Sequence, residues 1–234
     1  ASSPPHSHCI IISQSYQSLH PIPMILFTIP LFISLLSTHA LSIPTDKTIS
    51  THIGDISIRI VGDENHDKIP VIAIPGASPL LQDEWMPIAH ILSENGYVVY
   101  ILNIHSNHNA KKQMVRIIHE AVLHNTIGES KAIIMGKSYG GAVAQAFAVA
   151  HPEEVIKLCL VAPASSDESM ISALYSAHIK VFLAWARDDT NIPFSNTAKW
   201  RESYKSGLTL HSVAVGGHRV LEEYAKPILE FLQK

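Results

Sequence analysis

Residues 132–141 read Ala-Ile-Ile-Met-Gly-Lys-Ser-Tyr-Gly-Gly, a short apolar run followed at once by a glycine-flanked serine. The apolar run predicts a buried strand, and the alanine-rich segment after it predicts a helix. At such a sharp strand-to-helix turn, Ser138 would be held in a strained backbone conformation with its hydroxyl exposed at the sheet edge. Gly136 and Gly140 leave room for the tight crossing, and Gly141 extends that room by one residue. The segment therefore predicts a nucleophile at Ser138; the alternative is an ordinary turn serine between glycines.

A nucleophilic serine requires a general base and an acid that orients this base, and candidates for both follow it in the chain. The apolar run of residues 179–185 predicts a buried strand, which leads into Asp188 and Asp189. A further strand near residues 209–215 is followed by a glycine pair and then His218. Ligand sites of parallel sheets lie at the carboxyl ends of the strands, which is where these side chains fall. The order Ser, Asp, His predicts a triad with His218 as base and one of the two aspartates as acid.

These motifs, in this order, resemble the α/β-hydrolase superfamily from about Ser50 to the end of the chain. In that family the acid follows its strand in the pattern Gly, two residues, Asp, three residues, Pro. The resemblance selects Asp189, because Pro193 is in register and Ala186 stands where the family has glycine. Asp188 is then either a solvated neighbour or a helper of the site. The fold that the resemblance implies is a mostly parallel central sheet with helices on both faces.

An acyl-transfer serine also requires N–H donors for the oxyanion that forms on the attacked carbonyl. The backbone amide of Tyr139 is one candidate, because it directly follows the nucleophile. The second is expected in the loop after the strand at 69–74, where we assign it to Ala77. The family usually has His-Gly in this loop, whereas this chain has Pro75-Gly76. An ordinary Pro-Gly turn between a strand and a helix is the alternative.

The remaining apolar periodicity predicts alternating strands and helices, and hence an α/β fold with a mostly parallel sheet. The expected strands are 53–60, 69–74, 97–104, 132–135, 155–162, 179–185 and 209–215, and the expected helices besides the one after Ser138 are 81–94, 111–125 and 220–231. The first strand alternates isoleucine with polar residues, as a half-buried antiparallel strand does. The connection at 163–178 is short, whereas many hydrolases of this fold insert a helical cap there. We therefore expect no cap domain.

Within the superfamily, the segment from Val161 to Trp185 and the close of the chain are similar to the small α/β-hydrolase domain-containing protein fourteen group. That resemblance implies a cofactor-independent serine hydrolase acting on small acyl esters or on acetyl groups of amines. Ser138 would attack the acyl carbonyl, His218 would take its proton, and Asp189 would orient the imidazole. The alternatives are an acyltransferase of the same fold and a non-catalytic ligand-binding protein.

The composition of the chain limits the classes of partner that it is expected to bind. With 234 residues and 47% hydrophobic content, the chain suits one domain with a sizeable core. A net charge of -3 without long basic runs predicts no nucleic-acid partner. The expected partner is a small-molecule acyl substrate, no cofactor is expected, and the oligomeric state is left open.

The two cysteines cannot define a disulfide framework. Cys159 lies in an apolar strand and is expected to be a buried thiol, and Cys9 lies in the amino-terminal region. The histidine pairs at 6–8 and 105–108 have no carboxylate or thiol nearby, so no metal site is expected at either pair.

Residues 1–45 form an apolar extension ahead of a hydrolase domain at 46–234. The extension contains no Lys, Arg, Asp or Glu. Its run from Met24 to Leu36 resembles the hydrophobic region of a signal peptide, with residues 38–40 as the cleavage site. This favours the secretory pathway or an extracellular location. The alternatives are a membrane anchor, or an artefactual or disordered extension with the true start at Met24 and a cytoplasmic protein. A membrane is an expected partner only if the segment is retained.

Overall fold

An eight-stranded sheet runs through the part of the chain that the computed structural model describes, residues 43–51, 54–64, 67–77, 81–103, 111–128, 131–165 and 167–234. Its strands are β1 Thr45–Thr51, β2 Gly54–Val61, β3 Ile69–Ile74, β4 Tyr97–Asn103, β5 Ala132–Lys137, β6 Val155–Val161, β7 Val181–Ala186 and β8 Leu208–Val213. The α-helices are α1 Met86–Glu94, α2 Lys111–Arg116, α3 Tyr139–Ala150, α4 Glu168–Ser176, α5 Thr197–Ser203 and α6 Ala225–Leu232. A π-helix, Ile117–Ile127, continues α2. Four 3-10 turns lie at Leu81–Trp85, Pro152–Glu154, Phe194–Asn196 and Glu222–Tyr224.

The strand order is β1-β2-β4-β3-β5-β6-β7-β8. β1 pairs with β2 and β2 with β4 in antiparallel fashion, whereas the six strands from β4 to β8 along the sheet are parallel. The chain moves from β3 to β4 on one side and then returns to place β5 on the other side of β3. β3 and β5 are therefore neighbouring strands, and the loops that follow them start at a topological switch point of the sheet. Ligands bind at such points in open α/β sheets. The predicted fold class is confirmed.

Apolar residues cover both faces of the sheet. Strands that are buried on both faces carry continuous rather than alternating apolar runs. On one face the sheet packs against α2, the π-helix and α3 to α5, with Phe147 and Trp200 fully buried. On the other face it packs against α1 and α6, through residues such as Leu92 and Phe231. Helices therefore cover both faces and leave the strand ends for the loops.

The connection from β6 to β7 contains α4 and no cap domain among its described residues, 162–165 and 167–180. The prediction of a fold without a cap is confirmed for that part of the chain. Cys159 is fully buried, as expected, and burial raises the pKa of its thiol.

The structure differs from the sequence expectation at several elements. Neither α4 nor α5 was expected, and the expected helix at 81–94 begins as a 3-10 turn before α1. β1 was not expected: its residues are mostly exposed, so it lacks the alternation that marks a strand, and it forms by pairing with β2 at the sheet edge. The expected helix at 111–125 changes at Ile117 from α to π. The helix expected from Val220 is an extended Leu221, a 3-10 turn and then α6, which lengthens the loop that carries His218.

Several expectations lie outside the described residues: the signal-peptide-like segment within 1–42, the histidine pair at 6–8, Cys9, and the histidine pair at 105–108. The targeting segment and the domain boundary at residue 46 therefore stay predictions. Among the helices that the structure does describe, none combines the length and the apolar character needed to cross a membrane.

Candidate active site

Ser138 is the single residue between β5 and α3, and its backbone is strained, with φ 53° and ψ -120°. Such a left-handed φ costs an L-residue of this kind about 1–3 kcal/mol and persists only where its surroundings impose it. Here Ser138 N donates to Val161 O at 3.0 Å, and Ser138 O accepts from Ala142 N at 3.1 Å. The serine is thus fastened to β6 on one side and to the first turn of α3 on the other.

The glycines that flank Ser138 are required because backbone segments pack too closely there for a Cβ atom. A Cβ atom on Gly136 would lie 2.4 Å from Gly140 O. A Cβ atom on Gly140 would lie 2.2 Å from both Ile74 O and Pro75 O. No side chain fits at such distances, because the opposing atoms are backbone and cannot rotate away. The start of α3 therefore lies directly against the end of β3.

Gly140→Ala is expected to destabilise the protein by about 3 kcal/mol and to displace the turn at Ser138, because overpacking against backbone cannot be relieved by a rotamer change. Thermal unfolding measures the first effect, and reaction of Ser138 with a fluorophosphonate measures the second. Gly207→Ala is a useful comparison, since a Cβ there would meet nothing closer than 3.6 Å, whereas its φ of 83° is positive and that of Gly140 is not, so its loss reports backbone strain alone. A loss in Gly140→Ala no larger than that in Gly207→Ala, without displacement of Ser138, would contradict the expected clash with β3.

The loop after β6 closes over the turn from the other side, a feature that the sequence analysis missed. Ala162 has a positive φ of 40°, and Ala164 N donates to Ser138 O at 2.8 Å. A Cβ atom on Gly141 would lie 2.8 Å from Pro163 Cβ, so the proline packs directly on the helix start. Nothing in the local sequence marks this contact, because it joins two separate strand ends.

His218 and Asp189 form a hydrogen-bonded pair, with 2.8 Å between His218 Nδ1 and Asp189 Oδ2. The Asp189 side chain is fully buried and that of His218 is 14% exposed. The other carboxylate oxygen, Oδ1, accepts from Asn191 N and Ile192 N, each at 2.9 Å. Both oxygens of Asp189 are therefore engaged, and the carboxylate cannot turn away from the imidazole. With Nδ1–H donating to Asp189, His218 Nε2 is left as a proton acceptor.

Asp188 supports the loop that carries His218. Its Oδ1 accepts from Gly216 N at 2.9 Å and from Gly217 N at 2.8 Å. A Cβ on Gly216 would lie 3.2 Å from Ala186 Cβ, so this loop crosses the end of β7 closely. The two adjacent aspartates thus have separate contacts: Asp189 holds the imidazole, and Asp188 holds the backbone before it. The sequence had left Asp188 open between a solvated neighbour and a helper of the site, and these two hydrogen bonds are those of a helper.

The three triad candidates follow β5, β7 and β8, all at the carboxyl edge of the sheet. Strands lie about 4.8 Å apart, so the ends of β5 and β8 are about 14 Å apart. His218 can approach Ser138 only through a loop folded back across β7, which is the path that Asp188 stabilises. Among the described residues, the hydrogen bonds join His218 to Asp189, and none joins either residue to the Ser138 hydroxyl. Catalytic hydrogen bonds are often long in unliganded sites and shorten with substrate.

The two oxyanion candidates lie on elements in contact. Tyr139 is the first residue of α3, so its N–H has no acceptor within the helix. Ala77 is exposed and follows Pro75 and Gly76, which are buried. The contact of Gly140 with the Pro75 carbonyl places this loop beside the helix start.

Lys137, the residue before Ser138, is 3% exposed and forms an ion pair that the sequence analysis missed. Its Nζ lies 3.2 Å from Glu84 Oε1 and 3.0 Å from Glu84 Oε2. Glu84 belongs to the 3-10 turn that follows the Ala77 loop. The pair thus ties the serine turn to the segment beyond the oxyanion loop. A lysine that ends an apolar strand signals a buried charge that needs a partner, but its partner lies 53 residues away in the chain.

No protein-family model and no curated protein matches this sequence. Its structure is nevertheless similar to solved hydrolases. A predicted CIB-like hydrolase from Thermoplasma acidophilum superposes with a TM-score of 0.71 and 19% identity, over 82% of this chain and 98% of that one. Naproxen esterase from Bacillus subtilis gives 0.68 and 13% identity, over 82% and 92% of the two chains. Est1E from Butyrivibrio proteoclasticus gives 0.64 and 12% identity, over 81% and 99%. At these identities the likeness shows the fold: the chain has the α/β-hydrolase fold.

Proposed function

We propose that the protein is a cofactor-independent serine hydrolase that cleaves small acyl esters. The observation that carries this proposal is the strained Ser138 at the carboxyl edge of the sheet, the same edge at which His218 is held by a buried Asp189. A serine in this backbone conformation presents its hydroxyl away from the turn. An imidazole oriented by a carboxylate is the base that such a hydroxyl requires.

In the proposed reaction, Ser138 Oγ attacks the acyl carbonyl carbon while His218 Nε2 takes the hydroxyl proton. The negative charge moves to the carbonyl oxygen, which accepts N–H bonds from Tyr139 and Ala77. Collapse of the intermediate breaks the ester C–O bond, and His218 gives the proton to the departing alcohol. Water then attacks the acyl-enzyme with His218 as base, releasing the acid and restoring Ser138. Asp189 stabilises the imidazolium in both halves of the cycle.

The structural neighbours support this class, since one is an esterase by name and another is a predicted hydrolase. The resemblance to the α/β-hydrolase domain-containing protein fourteen group stays a prediction, and so does secretory targeting.

A panel of p-nitrophenyl esters from acetate to palmitate is expected to show the highest kcat/KM between acetate and butyrate. The described part of the β6–β7 connection holds α4 and no cap, so it lacks the insertion that buries long acyl chains in capped hydrolases. Each buried methylene contributes about 0.8 kcal/mol, or about a fourfold gain in kcat/KM if the gain is realised in the transition state. The gain should stop once the acyl chain has no further wall to contact.

The same panel measured above and below the micelle concentration should show no jump in rate. A steady rise toward palmitate, or activation by micelles, would contradict the small-acyl proposal and would indicate that another segment, such as residues 22–41, acts as a lid.

Labelling with a fluorophosphonate tests the enzyme class directly, because the reagent traps an activated serine. Labelling of the folded wild-type chain at Ser138 is expected. Absence of labelling would favour the ligand-binding alternative. Adding an alcohol or amine acceptor to the ester assay separates the remaining alternative, since an acyltransferase would form the acyl product in place of the free acid.

A further inference from the structure

Two histidines and a glutamate meet at the end of α3 that is remote from Ser138. His119 Nδ1 lies 3.0 Å from Glu154 Oε2. The rings of His119 and His151 stack with centroids 4.1 Å apart and an angle of 11°. One possible ligand atom from each of the three side chains lies within 4.8 Å of the others. The pattern was not found from the sequence, because His119 is 32 positions from His151.

The backbone holds two of these side chains in fixed register. His151 ends α3, with its N–H donating to Phe147 O at 2.8 Å. The following 3-10 turn brings Glu154 N to 3.1 Å from His151 O. Residues three apart in such a turn project from the same side, so His151 and Glu154 face the same space. Phe147 packs beneath them, with its ring centroid 5.2 Å from that of His151.

The third side chain comes from the π-helix, at its third residue. π-helical turns are rare and occur often at functional sites, because the wider turn re-aims side chains. His119 is 31% exposed, which leaves a path from solvent to the cluster, whereas the Glu154 side chain is 10% exposed.

The charges of the cluster suit a cation. Glu154 brings a carboxylate that is mostly removed from water and already contacts His119 Nδ1. The two imidazoles add ring nitrogens, and imidazole is the commonest metal ligand in proteins. Two neutral imidazoles and a carboxylate form a donor set that zinc binds, with an open position for water.

We propose that His119, His151 and Glu154 form a zinc site. Zinc–ligand distances of about 2.0–2.2 Å place ligand atoms roughly 3.4 Å apart in a tetrahedron, so the ligand atoms must move closer by about 1 Å and the two imidazole rings must turn out of their parallel stack to point at one ion. α3 has 12 residues and is about 18 Å long, which puts the site far from the carboxyl edge where Ser138 lies. The metal would join the π-helix to the α3–β6 corner and stabilise the folded state by binding it selectively.

Isothermal titration of the full chain, first freed of metal with a chelator, tests the site with ZnCl₂ at pH 7.5 and with MgCl₂ as a comparison. One zinc per chain, a higher melting temperature in zinc, and no magnesium binding are expected. His119→Gln and Glu154→Gln should each raise the zinc Kd at least tenfold. His119→Gln is the safer variant for folding because its side chain is partly exposed.

The matched control is His178→Asn, which removes an exposed histidine outside the cluster and suits the positive φ of 57° at that position. Its zinc affinity should equal that of the wild type. The chain has 15 histidines, so zinc bound with the same Kd in His119→Gln would assign the metal elsewhere and overturn the proposal. Absence of zinc binding by the folded wild type would also overturn it. Neither measurement depends on hydrolase activity.

Discussion

Ser138→Ala is expected to lower kcat/KM for acyl esters by about 10³-fold or more and to abolish fluorophosphonate labelling. The hydroxyl is the proposed nucleophile. Without it, a water molecule would have to attack the ester directly, with no fixed position and no covalent intermediate to divide the reaction into two easier steps. The fold should remain, because alanine keeps the Cβ atom and the hydrogen bonds of Ser138 to Val161 and Ala164 are made by its backbone.

Ser195→Ala is the control for this variant, since Ser195 is exposed in a 3-10 turn and makes no proposed contact with substrate. Circular dichroism and thermal unfolding establish that both variants are folded. Undiminished ester turnover by pure, folded Ser138→Ala would refute the mechanism. Loss of activity together with unfolding would instead show that the turn depends on the hydroxyl.

Asp189→Asn is expected to reduce kcat by on the order of 10³–10⁴-fold while changing KM little. An amide in place of Oδ2 would no longer accept the Nδ1–H of His218 in the required tautomer, and it could not stabilise the imidazolium. The other hydrogen-bond partners of Asp189 are the backbone N–H groups of Asn191 and Ile192. These groups are donors, so they cannot replace the negative charge that stabilises the imidazolium.

Asp188→Asn is the matched control, and its loss should be far smaller. The amide oxygen of asparagine can still accept from Gly216 N and Gly217 N, so the His218 loop keeps both hydrogen bonds. Asp188→Ala removes both bonds and should therefore cost more than Asp188→Asn. If kcat falls further in Asp188→Asn than in Asp189→Asn, the acid of the triad is Asp188 and the assigned register is wrong by one residue.

The strands of the parallel sheet were predictable because burial on both faces imposes continuous apolar runs, as in β3 and β7. β1 was not predictable in this way. Its seven residues are largely exposed, and its conformation depends on the hydrogen bonds that β2 supplies. The change from α to π at Ile117 is likewise not marked in the apolar pattern.

Local sequence also determined the candidate residues, since a glycine-flanked serine after a strand, an aspartate after another, and a histidine after a third are each short-range signals. The contacts between these loops come from the tertiary structure. Gly140 is required by the carbonyl oxygens of Ile74 and Pro75, more than sixty positions earlier, and Lys137 is neutralised by Glu84 across a similar distance. The different roles of Asp188 and Asp189 were decided in the same way, because backbone N–H groups from two different loops bind their carboxylates. Side-chain identity and periodicity act over a few residues, whereas the partner of a buried charge or a close backbone crossing depends on which strand ends the sheet topology makes neighbours.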